Sequence, residues 1–407
     1  MSRISEYLKD QENVVIDLQK ALVAIPALGP DNNGDGEKQK ADFLIDYFKK
    51  MGINDIIEVN SPDSRVSGGY RPNVVVKIPG KNTSRTLWII SHTDIVPPGD
   101  LSLWESDPYE LKVDGQLIYG RGVEDNHQGL VSSILTVRAF IELDITPEIN
   151  LGLIMVADEE TGNKHGLPHV LEQRQDLFSQ QDLYLVPDFG TSDSKMIEVA
   201  EKSMLWVKIS VSGRQCHASR PDKGINTLVA SSAFIVALDE LHNYFSDYSE
   251  LFSPPASTFC PTKKESNVPN INTIPGYDVF YIDCRILPNY QIDEVLNKIK
   301  EIGARIESDY KVGITYETVL KEQSAPFTDP SSEIVTELTR AIKNELGVEA
   351  VPQGVGGGTV AAFLRHRGYN AVVWSTLHGT AHQPNECSSI VNTINDARVM
   401  AHLIAPR

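Results

Sequence analysis

The chain has 407 residues, room for two or three domains around a buried core, and its 37 Lys+Arg against 55 Asp+Glu leave a formal charge of −18. So acidic a surface repels nucleic-acid phosphates and anionic lipid, and no apolar run nears the roughly 18 residues of a membrane helix, so neither partner is expected. Four scattered cysteines (Cys216, Cys260, Cys284, Cys387) without a C-x-x-C pair argue against a disulfide scaffold or thiolate metal site; with a charged N-terminal stretch unlike a secretory signal, they point to the cytoplasm.

Apolar residues at helical spacing predict helices over 17–25 and 37–51, stopped by Pro26 and Gly52. Residues 73–78, 86–91, 150–156 and 182–186 are short β-rich runs, apolar almost without a break, as in strands covered on both faces. Helices are predicted among them, over 129–143 and around 169–174. That alternation reads as an α/β sheet with helices on both faces. After about Lys202 the pattern changes. Part of 203–211 alternates polar and apolar, the mark of a sheet with one solvated face. A helix over 226–244, a Pro/Ser-rich loop over 253–269, a strand pair within 271–287, a helix over 292–306 and a strand over 312–319 follow. The resulting β-α-β-β-α-β order resembles a ferredoxin-like layer. From Ser331 the α/β character returns: a helix to Leu346, the glycine run 354–358, a helix to about Arg367, a strand over 370–375 and a last helix from near Asn392. The expected architecture is a discontinuous α/β catalytic domain (1–202 and 322–407) with a mostly parallel sheet, interrupted by a smaller α+β domain (203–321).

Five acidic or His-bearing segments fall at or just beyond the C-terminal ends of predicted strands, where open α/β sheets hold their ligands. In His92-Thr93-Asp94 the imidazole can bind a metal while the carboxylate fixes the other ring nitrogen; alone, the segment reads equally well as a polar loop. Asp125, flanked by Gly120, Gly122 and Gly129, either caps the next helix or belongs to a site. Asp158, Glu159 and Glu160 directly follow an apolar strand and repel one another unless a cation compensates. Of the adjacent glutamates, one can bind metal while the other takes a proton from water. Asp188 stands at a further strand end, and His378 and His382 lie in the loop after Ser375. Imidazole and carboxylate without thiolate is the donor mix of a catalytic zinc pair rather than a structural zinc.

In order and approximate spacing, over nearly the whole chain, these segments resemble the co-catalytic zinc hydrolases that include aminoacylase, acetylornithine deacetylase, succinyl-diaminopimelate desuccinylase and carnosinase-type dipeptidases. The resemblance implies two Zn²⁺ per chain, with Co²⁺ or Mn²⁺ as substitutes. His92, Asp125 and Asp188 would hold one ion; Asp125 would bridge to the other, held by Glu160 and His382. Glu159 would be the general base, and Asp94 the carboxylate behind His92. Residues 213–219 are similar to the family's G-x-x-x-H-[AS]-S, whose histidine, here His217, reaches a partner subunit's active site and polarises the scissile carbonyl; a homodimer is thereby implied. Asn272, Arg285 and Gly356-Gly357-Gly358-Thr359 match further segments implied in substrate binding. An arginine can pair bidentately with a substrate carboxylate, and backbone N–H groups of the glycine loop can form an anion nest.

The activity so implied is amide hydrolysis of a small dipeptide or N-acyl amino acid. Two departures bear on the substrate. Asp188 stands where many deacylases of the family carry Glu, and Thr359-Val360-Ala361-Ala362 replaces the Thr-Asp-x-Arg usual in deacetylases and desuccinylases, which leaves those narrow activities as the alternative. His127 and Gln128 also replace a more usual Met-Lys. A metal-binding relative without catalysis is disfavoured by Glu159, which no ion needs, and a nucleotide enzyme by the lack of G-x-G-x-x-G spacing in 354–358.

Overall fold

The structure, a computed structural model, describes residues 3–406. The chain divides into two compact units. One takes the chain up to Val199, Thr328–Gln353 and everything from Thr359 on; the other takes Ala200–Phe327 with Gly354–Gly358.

The larger unit is built on strands β1 (Ile56–Pro62), β2 (Tyr70–Ile78), β3 (Asn82–His92), β4 (Ile149–Val156), β5 (Leu183–Val186), β6 (Met196–Glu201), β7 (Val351–Val355) and β8 (Ala371–Val373), the last two residues of β6 and of β7 being counted with the smaller unit. Their order is β1-β2-β4-β3-β5-β8-β6-β7. The central neighbours β4, β3, β5 and β8 run parallel, whereas β1, β2 and β6 are antiparallel on the flanks. Trp88, Ile90, Ile154 and Val156 pack beneath the helices Leu167–Gln173 and Ala361–His366. Leu87, Ile89, Leu151 and Leu153 point the other way and are buried too, with helix His127–Glu142 against β3 and β4. Burial on both faces is why these strands carry no polar alternation. Gly152 is required in β4, because a Cβ there would lie 2.2 Å from the Trp88 ring.

The smaller unit has a four-stranded sheet in the order Thr258–Lys264, Tyr277–Ile286, Ser203–Ser212, Gly313–Glu322, with antiparallel neighbours. Leu205, Val207, Ile209 and Val211 form one buried face under helices Thr227–Ala237 and Ile292–Tyr310, while Trp206 and Lys208 face away. This is the ferredoxin-like order. Two expectations need correction. The segment 253–269 contains the edge strand Thr258–Lys264; Phe259 is its one buried residue and its register shifts between Pro261 and Lys263, so it shows no alternation to read. The two strands within 271–287 do not pair with each other. Thr273–Ile274 pairs with Cys216–His217, and Tyr277–Ile286 with Ser203–Ser212. The glycine run, placed above in the returning segment, belongs with the smaller unit: Lys202 N–H donates to Val355 O at 2.9 Å and Gly354 N–H to Leu251 O at 2.5 Å.

Candidate metal centre

The four parallel strands deliver polar residues to one edge of the sheet. His92 ends β3, Glu159 and Glu160 form a single 3₁₀ turn just after β4, Asp188 follows β5, and His382 lies in the loop beyond β8. Asp125 comes from the turn that precedes helix His127–Glu142, and the Asp125–Asn126 peptide is cis. A glycine at 129 lets this helix start against β5's end, since a Cβ there would sit 2.2 Å from Pro187 O.

These side chains meet. His92 Nε2 is 2.9 Å from Asp125 Oδ1 and 3.3 Å from Asp188 Oδ1. His382 Nε2 is 3.1 Å from Asp125 Oδ2 and 3.2 Å from Glu160 Oε1. Asp125 thus offers one oxygen to each imidazole. Three overlapping donor groups have all their ligand atoms within 4.8 Å: His92/Asp125/Asp188, His92/Glu159/Glu160 and Asp125/Glu160/His382.

His92 Nδ1 lies 3.0 Å from the Asp94 carbonyl oxygen; donating its proton there leaves Nε2 as the lone-pair side facing the cluster. The Asp94 carboxylate, expected behind His92, is the longer contact at 3.5 Å. Its main partners are the backbone N–H groups of Glu159 at 3.1 Å and Glu160 at 3.0 Å, so it shapes the turn that presents both glutamates.

Charge in the cluster is unbalanced. Burial, then the neighbouring Asp188, Glu160 and Asp125, drive the Glu159 carboxyl well above its usual range despite His92. Burial lifts Glu160 to about 7, against the pull of the His382 bond. Bonds to Asp125 and Glu160 raise His382 to about 10. Two glutamates pushed toward their protonated forms, with both imidazoles made strongly basic by the carboxylates beside them, are a donor set short of positive charge. Divalent cations fit it, and the O/N donors are those of zinc.

Several residues that position this cluster have no readable signal in the sequence. Asn126 Nδ2 holds Asp188 Oδ1 at 2.5 Å and Pro187 O at 2.9 Å. Asp158, in the left-handed region at φ 63°, is gripped by fully buried Arg71, which also pairs with buried Glu37. His127 and Gln128 now have a structural account. His127 Nε2 lies 2.8 Å from Lys40 Nζ, both buried, and Gln128 ties its helix to Thr376 O and Asp396. Burial pulls the Lys40 ammonium down to about 7.

The remaining candidates belong to the smaller unit, except Thr359, whose Oγ1 accepts the Ala361 N–H at 3.2 Å. His217 is exposed; its Nδ1 accepts the Ser219 N–H at 3.1 Å, which leaves Nε2 to carry the proton of the neutral ring. Asn272 is its neighbour, with its carbonyl taking the Ala218 N–H at 2.8 Å. Arg285 is already engaged. Asp283 accepts from its Nε at 2.8 Å and Nη2 at 3.1 Å, and Gly356 O from its Nη1 at 2.7 Å. The bidentate edge a substrate carboxylate would use is therefore occupied by Asp283. Cβ atoms at Gly356 and Gly357 would meet nothing within 4 Å, so packing does not demand glycine there.

Residues 88–405 match the model of peptidase family M20/M25/M40. An uncharacterized metallohydrolase of Methanococcus maripaludis is 44% identical, over 96% of this chain and 98% of the relative. A protein of Nitratiruptor sp. named succinyl-diaminopimelate desuccinylase is 27% identical, over 92% of this chain and 94% of its own. The di-peptidase Dug1p of Saccharomyces cerevisiae has the same fold, with a TM-score of 0.72 at 16% identity, over 98% of this chain and 97% of that one. The chain belongs to peptidase family M20/M25/M40 and is a metal-dependent hydrolase of amide or peptide bonds.

Proposed function

We propose that the protein hydrolyses the amide bond of a small dipeptide or N-acyl amino acid at a two-zinc centre. The observation that carries this reading is Asp125, whose two oxygens lie between His92 and His382. His92, Asp125 and Asp188 would hold one ion, and Asp125, Glu160 and His382 the other. Ions held there would supply Lewis acidity, polarising the amide carbonyl and lowering the pKa of bound water toward neutrality. Glu159 would receive that proton on a carboxylate oxygen and return it to the leaving nitrogen. Asp94 orients Glu159 through its backbone N–H. His217 Nε2 donates to the carbonyl oxygen as charge builds on it.

His217 stands in the smaller unit, and a second copy of the chain is proposed to supply it. Two features of that unit support a homodimer: the strand Gly313–Glu322 lies at a sheet edge, and Val229 and Val236 of helix Thr227–Ala237 are 51% and 75% exposed. No helix among the described residues is long and apolar enough to cross a membrane, and the four cysteines are unpaired; both agree with a cytoplasmic site of action.

The Dug1p fold favours a dipeptide, the desuccinylase-named relative an N-succinyl amino acid. Zinc-loaded protein should be assayed against dipeptides, N-acetyl amino acids and N-succinyl amino acids, with and without a chelator. Chelator-sensitive cleavage concentrated on the dipeptides is the expected result. Cleavage of N-succinyl substrates alone would establish the second reading, and no cleavage of any amide would refute the proposal.

A further inference from the structure

Two buried carboxylates outside the donor groups tie together the loops that bear Asp125 and His382. Glu124 is 1% exposed and Glu386 fully buried. Glu124 accepts the backbone N–H groups of His378, Gly379 (3.0 Å) and Thr380, and the Thr380 hydroxyl at 2.7 Å. In return, Glu386 accepts the N–H groups of Gly122 (3.0 Å), Glu124 (2.9 Å) and Asp125 (3.0 Å), and Nη1 of Arg121 at 2.6 Å. Each loop thus contributes one carboxylate to the other's backbone.

Packing does not hold the His382 imidazole, for its side chain is 53% exposed and its φ is +64°. What fixes the loop is the bonding at its two ends, Glu124 on 378–380 and Glu386 on 121–125. Each carboxylate meets four donors, which an ionised group with two oxygens can satisfy and a neutral amide cannot, because its nitrogen would face N–H groups.

We infer that Glu124 and Glu386 are positioning residues that set the distance between Asp125 and His382, Glu124 thereby determining affinity for the ion those two residues share and Glu386, through the backbone of Asp125, affinity for both ions. The inference rests on the reading of Asp125 and His382 as ligands. Metal-free wild type, Glu124→Gln, Glu386→Gln and His382→Ala should be titrated with Co²⁺, with occupancy read by equilibrium dialysis and visible absorption. Wild type should take two Co²⁺ and His382→Ala one. Glu124→Gln should weaken one ion on the order of 10–100-fold and spare the other. Glu386→Gln, which loosens the backbone of the bridging Asp125, should weaken both.

A Glu124→Gln protein that binds both ions as wild type does, or weakens both equally, overturns the clamp while the His382→Ala result keeps the centre. A His382→Ala protein that retains both ions overturns the centre, and the clamp with it. Should Glu124→Gln fail to fold, Thr380→Val removes one of the same four donors and should weaken the same single ion by a smaller factor; unchanged binding in that variant also overturns the clamp.

Discussion

Replacing Arg71 with methionine keeps most of the side-chain volume and removes a cation that faces three buried carboxylates. Arg71 and Glu37 are both fully buried; Nε reaches Glu37 Oε2 at 2.6 Å, and Nη1 lies 3.3 Å from Asp158 Oδ1 and 3.8 Å from Asp63 Oδ2. Asp158 keeps the Thr161 hydroxyl and the His165 N–H, and Asp63 keeps Arg65. Glu37 loses most, retaining the Asp158 N–H at 3.3 Å. Stranding one buried charge in this way costs about 3–5 kcal/mol. Glu37→Gln/Arg71→Met should recover much of that loss, because neither charge remains. Burial already holds the Glu37 carboxyl above its usual range, with Arg71 opposing, so in Arg71→Met it rises further. A group whose folded pKa is raised destabilises least when protonated, so the deficit should narrow as pH falls below neutrality. Urea unfolding of the metal-free protein, followed through buried Trp88 and Trp374 of the larger unit, measures it. A loss below about 1 kcal/mol at neutral pH, or a double variant no better than the single, would refute this account of how the 158–160 turn is held.

Glu159→Gln should retain its metal and lose turnover on the order of 10²–10⁴-fold; near-normal kcat would remove Glu159 from the proton transfers. Glu345 bonds Ser5 at 2.7 Å, Arg398 at 3.0 Å and His402 at 2.9 Å, and these partners hold its carboxyl at about 2 against the opposing effect of burial. Because that folded pKa is depressed, its contribution, on the order of 3 kcal/mol, is present above about pH 4.5 and lost as pH falls toward 2. The stability gap between wild type and Glu345→Gln should close over that interval; a gap unchanged at pH 3 would contradict it. Inactive His217→Ala and Glu159→Ala proteins, mixed after dissociation, should regain roughly a quarter of wild-type activity if His217 acts across a dimer. No recovery from a mixture that sedimentation identifies as dimeric would place His217 with its own chain.

Legibility in the sequence followed burial. Strands β3 and β4 stood out because Leu87, Trp88, Ile89 and Ile90, and the run from Leu151 to Val156, are covered on both faces. The donors stood out because polar residues placed directly after such strands have few structural reasons to be there. The edge strand Thr258–Lys264 escaped because it covers almost nothing and contains Pro261. The residues that hold the centre escaped for a different reason. Glu37 meets Asp158 across 121 positions, Lys40 meets His127 across 87, and Glu124 meets Gly379 across 255. No local period encodes such pairs. Arg71 is no exception: nothing local marks it as buried, and its burial follows only from the place of β2 between β1 and β4.

The central claim is that Asp125 bridges two ions. Anomalous diffraction from crystals grown with zinc, collected on both sides of the zinc absorption edge, tests it without reference to any substrate. The account predicts two peaks about 3.5–4 Å apart, one bounded by His92, Asp125 and Asp188 and the other by Asp125, Glu160 and His382. A single peak within the cluster, or a pair not separated by the Asp125 carboxylate, would contradict it.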